Sequence, residues 1–333
     1  MADPGLSKPG PARRALRWGL RSLREAGDVS LTLFRVMVPV IVAVKVLDML
    51  GGVSVLAGVL APVMRTVGLP GEMGLVWATA LITNLYGGIA VFVSLAPGMG
   101  LSAAQVTVLC SMMLMAHSMP VELRVAQKAG VRLRFLLLTR LLAAYVLGMA
   151  LHLVYSGLSV LNRPARILLD PGRPPSGLGQ WALAQLENLL TVFLIVLGLV
   201  VLMRILEKLG VTDLLGRMLR PLLESMGIGR SAATITVIGL VLGLSYGGGL
   251  IIREARSGRV GPRDLFFSVT LMGLAHALVE DTLLMLSLGA HLTGVLLGRV
   301  AVAWILVSLL VLLVRRMPED VFARWLSRPR PES

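Results

Sequence analysis

Two carboxylates and a histidine stand inside one long apolar stretch, the run LAHALVEDT from Leu274 to Thr282. His276 and Glu280 are i,i+4 and would share a helix face, with Asp281 beside them. Ionisable groups are costly within a membrane, so this cluster points to a site for a coupling proton, a cation or a polar solute. The structural alternative is a buried ion pair, with Arg253, Arg299 or Arg140 as partner. In the earlier part of the chain, His117 and Glu122 stand at the spacing of His276 and Asp281, and Pro120 between them should break that helix. Glu122 is close enough to the segment end to reach the cytoplasmic surface instead.

Two glycine runs form the second candidate. Asn84 precedes Tyr86-Gly87-Gly88, and Ser245 opens Ser245-Tyr246-Gly247-Gly248-Gly249. Such a run should break a helix and free backbone N–H groups for an anionic or polar ligand. Asn84 and Ser245 add side-chain donors and acceptors. Close helix packing through small residues is the alternative. Cys110, Met112, Met113, Met115, His117 and Met119 offer soft metal ligands, but they point to all sides of a helix and methionine is an ordinary gap-filler. Gly243 to Gly247 reads G-x-S-x-G, yet a hydrolase needs a strand-turn-helix elbow that is not expected here. HExxH, Walker A and CxxC patterns are absent. No enzymatic activity and no cofactor are expected.

The elements that must position these residues are membrane helices. Of 333 residues, 56% are hydrophobic and 15% charged, against about 25% charged in a soluble domain. Mean hydropathy is +0.83. The net charge of +14 would suit nucleic acid in a soluble protein, but aromatics are only 5% and membrane proteins collect Lys and Arg in cytoplasmic loops. No nucleic-acid partner is expected. The lone Cys110 permits no intramolecular disulfide.

Apolar segments run at about 29–50, 73–95, 102–121, 135–156, 186–206, 232–252, 264–288 and 294–314. The boundaries follow: a basic tail at 1–28 with an amphipathic helix on the leaflet, a first repeat at 29–156, a Pro/Gly-rich linker at 157–185, a second repeat at 186–314 and a basic tail at 315–333. A shift of 159 lays Gly51 on Gly210, Pro62 on Pro221, Gly68 on Gly227, His117 on His276, Gly130 on Gly289, Arg140 on Arg299 and Glu122 on Asp281. A shift of 160 lays Tyr86-Gly87-Gly88 on Tyr246-Gly247-Gly248.

Charge then selects a topology. If both glycine-broken segments dip in and return on the same side, 25 Lys and Arg fall inside and 4 outside. The expected fold is therefore all-α, with six transmembrane helices, two re-entrant hairpins, inverted repeats and both termini cytoplasmic. The Tyr-Gly-Gly tips should meet near the midplane, where inverted-repeat transporters build their sites.

The glycine-broken segments and the stretch from Leu274 to Met285 resemble bacterial membrane proteins of the nucleoside recognition, or Gate, domain family. The resemblance spans about 30–315, one Gate-like unit per half. That family includes spore maturation proteins A and B and the gate regions of ferrous iron transporter B. It is distantly similar to concentrative nucleoside transporters, with their inverted repeats and re-entrant hairpins. The chain matches neither a nucleoside transporter's Asn/Thr/Glu set nor an iron gate's cysteines, so no substrate carries over. The resemblance implies a permease in the bacterial cytoplasmic (inner) membrane, for a small polar solute of nucleoside-like kind. A divalent-metal permease and a non-transport scaffold or signalling partner are the alternatives, and a homo-oligomer stays open.

Overall fold

The computed structural model describes residues 11–168 and 177–327. The prolines and glycine from Pro171 to Pro175, read as the middle of the linker, lie outside the described residues, as do residues 1–10 and 328–333. All regular structure among the described residues is helical. The first half runs α1 (Pro11–Met49), α2 (Gly52–Thr66), α3 (Met73–Ile82), α4 (Leu85–Leu95), α5 (Ala103–Met115), α6 (Met119–Lys128) and α7 (Leu133–Gly157). The second runs α8 (Leu178–Lys208), α9 (Val211–Ser225), α10 (Arg230–Leu242), α11 (Leu244–Ser257), α12 (Pro262–Ala275), α13 (Glu280–Ser287) and α14 (Arg299–Arg315). A π-helical turn (Thr293–Gly298) opens α14, and a short α15 (Glu319–Trp325) follows it.

Six stretches are long and apolar enough to cross a membrane: Trp18–Met49, Ala103–Lys128, Leu133–Gly157, Leu178–Lys208, Pro262–Ser287 and Thr293–Arg315. The chain is an all-α, multi-pass membrane protein. Burial sorts these spans. In Ala103–Lys128 and Pro262–Ser287, 83% and 72% of an apolar 18-residue window is buried, against 17–33% in the other four. The two central spans are also the two that break, α5 to α6 at residues 116–118 and α12 to α13 at residues 276–279. Backbone that leaves the helix at membrane depth must be enclosed by protein, and here it is.

Seven α-helices follow one another in each half, α1 to α7 and α8 to α14. Glycines that the 159-residue shift pairs share the left-handed backbone that ends a helix: φ is 72° at both Gly51 and Gly210, 71° and 89° at Gly68 and Gly227, and 92° and 88° at Gly130 and Gly289. Pro62 and Pro221 both lie inside helices, α2 and α9.

α3 with α4, and α10 with α11, are paired short helices whose outer ends return to one end of the molecule. Gly68, before α3, accepts from Gln105 Nε2 at 3.1 Å, and Leu101, after α4, accepts from the Ala165 N–H at 3.0 Å. Gly227, before α10, accepts from Arg315, and Arg263, after α11, donates to Met317 at 2.6 Å. The first group of loops also holds Arg163 O against the Ala103 N–H, 2.9 Å, and Ser287 O against the Leu168 N–H, 3.0 Å. The second also holds Arg132 against Leu326 and Ala323. Thus Gly98 and Gly258 lie at opposite ends.

One expectation changes. The basic amphipathic stretch near residues 12–25 is not a separate interfacial helix. It is continuous with the first span in a single 39-residue helix, α1, which runs through Pro39. At 1.5 Å per residue that helix is about 58 Å long, nearly twice the hydrocarbon core, so one end projects. Glu25 near its start pairs with Arg204 near the end of α8.

Candidate functional site

The two chain breaks meet. His117 and His276 face each other with Nε2 atoms 3.2 Å apart and ring centroids 5.0 Å apart. Each sits where its central helix stops, for a local reason. In the first half, Ser118 takes φ 49° and Pro120 occupies the first turn of α6, as its sequence position required. The second break, at residues 276–279, has no proline, and Ala277 takes φ 46°.

Breaking a helix strands its last carbonyls, and side chains take them up. His117 Nδ1 donates to Met113 O at 2.9 Å, and Arg140 Nε donates to Met115 O at 3.1 Å. The second half repeats this, with His276 Nδ1 on Met272 O at 2.9 Å and Arg299 Nε on Leu274 O at 3.1 Å. Arg299 Nη2 also reaches His276 O at 2.9 Å. The breaks are tied to the hairpins: the Ser118 N–H donates to Ala80 O (3.0 Å) in α3, and the Leu278 N–H to Leu240 O (2.9 Å) in α10.

Carboxylates complete the cluster. Glu122 Oε2 accepts from Arg140 Nη1 at 2.5 Å, and its Oε1 stands 3.4 Å from both histidine Nε2 atoms. Glu122 is 6% exposed, so it is a core residue and not at the surface. Asp281 Oδ2 faces Arg299 Nη1 at 3.7 Å, and neither atom has a hydrogen-bond partner among the described residues. Arg140 and Arg299 are completely buried. Ligand atoms of His117, His276 and Asp281 lie within 4.8 Å of one another. Glu280 is half-buried in the first turn of α13.

The expected helix-face pairing of His276 with Glu280 does not occur, because the helix ends at His276. His276 pairs across the halves instead, with His117 and Glu122. The residue matches at a shift of 159 carry the signal for this, since both histidines, both arginines and both acids fall in one register. The backbone carbonyls of Met113, Met115, Met272 and Leu274 leave no trace in side-chain chemistry.

The glycine runs lie beside the hairpin breaks rather than in them. Thr83 (φ −102°, ψ −96°) and Asn84 (φ −160°) break the first, and Gly243 (φ 83°) the second. Asn84 Oδ1 caps α4 by accepting the Gly87 N–H at 2.9 Å, so that amide is occupied. A Cβ on Gly88 would lie 2.8 Å from both Ala80 Cβ and Met113 Cε, and one on Gly87 would strike Thr83. In the first half these glycines serve close packing. Tyr86 is half-buried. In the second half the side chains of Ser245 and Tyr246, and those positions at Gly247 and Gly248, lie outside the described residues; Gly249 is exposed. The G-x-S-x-G run starts at Gly243, between α10 and α11, and continues as the first turn of α11, so it does not follow a strand. Cys110, Met112, Met113 and Met115 are core residues of α5.

A small apolar cleft lined by Val125, Leu136, Ile251 and Met272 reaches Glu122. The chemistry available is therefore a set of inward lone pairs, two imidazoles and two carboxylates, held between the halves and flanked by two guanidiniums.

The comparisons with known proteins agree with an integral membrane role. The Gate (nucleoside recognition) family profile matches residues 189–309. The uncharacterized membrane protein YvoD of Bacillus subtilis (strain 168) is 30% identical over 290 residues, which cover 86% of this chain and 92% of YvoD. No solved structure matches.

Proposed function

The chain belongs to the membrane-protein family of YvoD and carries a Gate (nucleoside recognition) profile match in its second half, and from that premise we propose that it is a secondary transporter or permease for a small polar solute. The observation that carries this reading is the meeting of the matched breaks: His117 and His276, 3.2 Å apart, lie at the interruptions of the two most buried spans. Transporters built from two related halves place solute and coupling ion at such interrupted helices. The cluster of His117, Glu122, His276, Glu280 and Asp281 binds the coupling proton or cation. The segments at Asn84 to Gly88 and Ser245 to Gly249 border the solute path beside it.

In this reading α3–α4 and α10–α11 are re-entrant hairpins that enter from opposite faces, and the repeats are inverted. The Glu25–Arg204 pair supports this, since it sets the start of α1 beside the end of its counterpart α8. Arg132, Arg263, Arg315 and Arg324 gather at one end of the molecule, which the positive-inside rule assigns to the cytoplasm of a bacterial inner membrane. Both termini then lie inside.

A thermal-shift screen of the detergent-purified protein tests the reading, with nucleosides, nucleobases and small carboxylates as probes. A ligand at about 100 times its dissociation constant stabilises by roughly 2.7 kcal/mol. The expected result is a hit that is lost in His276→Ala while that variant stays folded. A hit unchanged in His276→Ala would remove the cluster from the site. Unfolding of both His276→Ala and Asp281→Asn would favour a scaffold in which the cluster is structural.

A further inference from the structure

The tautomers of the two histidines are fixed. Each Nδ1 faces a backbone carbonyl at 2.9 Å, and a carbonyl only accepts, so each Nδ1 carries the hydrogen. Both neutral rings then direct an Nε2 lone pair at the same point, 3.2 Å apart, with Glu122 Oε1 the third acceptor at 3.4 Å from each. Three facing acceptors repel unless a proton or a metal cation lies among them. Glu122 pairs with Arg140 and Asp281 with Arg299, and Glu280 is a third carboxylate next to Asp281 in the first turn of α13.

The size of the triangle fits a small tetrahedral cation. A tetrahedral ion with bonds of about 2.05 Å has ligand atoms about 3.3 Å apart. The edges here are 3.2, 3.4 and 3.4 Å. A point about 0.7 Å off their plane would be about 2.05 Å from all three atoms, which is the depth a tetrahedral ion occupies. Nδ1–H donation to a carbonyl is also how metal-bound imidazoles are oriented. Asp281, 8% exposed, has a carboxylate oxygen within 4.8 Å of a ring nitrogen of each histidine and is the candidate for the fourth position, which a tetrahedral ion sets about 3.3 Å from the other ligand atoms.

We infer that His117, His276 and Glu122, with Asp281, form a tetrahedral site for a zinc-class divalent cation between the two halves. The inference deepens the proposed role of this cluster by naming the cation, yet it stands or falls by metal binding and not by transport. The two histidines supply one ligand from each half, so the bound ion links the halves.

The test uses tag-free full-length protein, stripped by chelator and reloaded with Zn²⁺ or Co²⁺. The expected result is one metal per chain by elemental analysis, and the intense visible bands of four-coordinate Co²⁺. Glu122→Gln, which can still accept from Arg140, should weaken binding at least about tenfold. His276→Cys should keep the metal and add a thiolate-to-Co²⁺ charge-transfer band, a signature that a purely structural residue would not give. Circular dichroism and size exclusion establish that each variant is folded. Reloaded wild-type protein without stoichiometric metal would overturn the inference, leaving a shared proton at the cluster. So would Co²⁺ bands unaltered by both substitutions. A failed solute screen with metal bound would overturn the transport reading alone.

Discussion

Arg140→Met tests how the buried centre is balanced. The substitution keeps an apolar stem but deletes the guanidinium that donates to Met115 O at 3.1 Å and to Glu122 at 2.5 Å. Glu122, 6% exposed, is left as an uncompensated buried carboxylate, and removing one partner of such a pair costs about 3–5 kcal/mol. The orphaned carbonyl is worth about 1–3 kcal/mol on its own. The two costs overlap, so the expected loss is at least about 3 kcal/mol. The paired variant Glu122→Gln/Arg140→Met removes the stranded charge and should recover about 2 kcal/mol of that loss. Unfolding titrations in mixed micelles, run on both single variants and the double, give the coupling energy. A single loss below about 1 kcal/mol, or strictly additive effects, would refute the reasoning that Glu122 is held by Arg140.

The matched arginine should behave alike: Arg299→Met strands Leu274 O and His276 O beside Asp281, and is expected to lower stability by about 3 kcal/mol or more in the same titration. Gly294→Val should cost about 1–3 kcal/mol by overpacking, because its Cβ would lie 2.8 Å from Ser111 Oγ and 3.0 Å from Leu151. Gly198→Val, with open space at its Cβ, is the comparison and should be nearly neutral. Single cysteines at Gly98 and Gly258 in a Cys110→Ala background should react with impermeant reagents from opposite faces; labelling from one face would defeat the inverted arrangement.

Much of this architecture was legible in the sequence because its determinants are local. Long apolar runs announce spans, Pro120 announces the break after α5, and the Gly and Pro matches set the register of the two halves. The break at His276 was not legible, because no proline or glycine marks it. Arg299, 23 residues further along, holds the exposed carbonyls. Reading an unbroken helix there made His276 and Glu280 neighbours, when the real neighbour of His276 lies 159 residues away. The glycine runs were misplaced by a few residues for a related reason. Asn84 and Gly243 set the hairpin breaks, and the glycines beside the first serve its close packing. The continuity of α1 was hidden because nothing local distinguishes an interfacial helix from the projecting end of a span.

The central claim is that the cluster is a working site reached in turn from each side of the membrane. Leu278, half-buried in the break beside His276, is the place to ask. Leu278→Cys in a Cys110→Ala background can be treated with a small impermeant thiol reagent in right-side-out and inside-out vesicles. Modification from both faces is expected, in separate experiments, at rates that fall when a bound ligand or ion holds one state. Modification from neither face, or from one face only under all conditions, would contradict it.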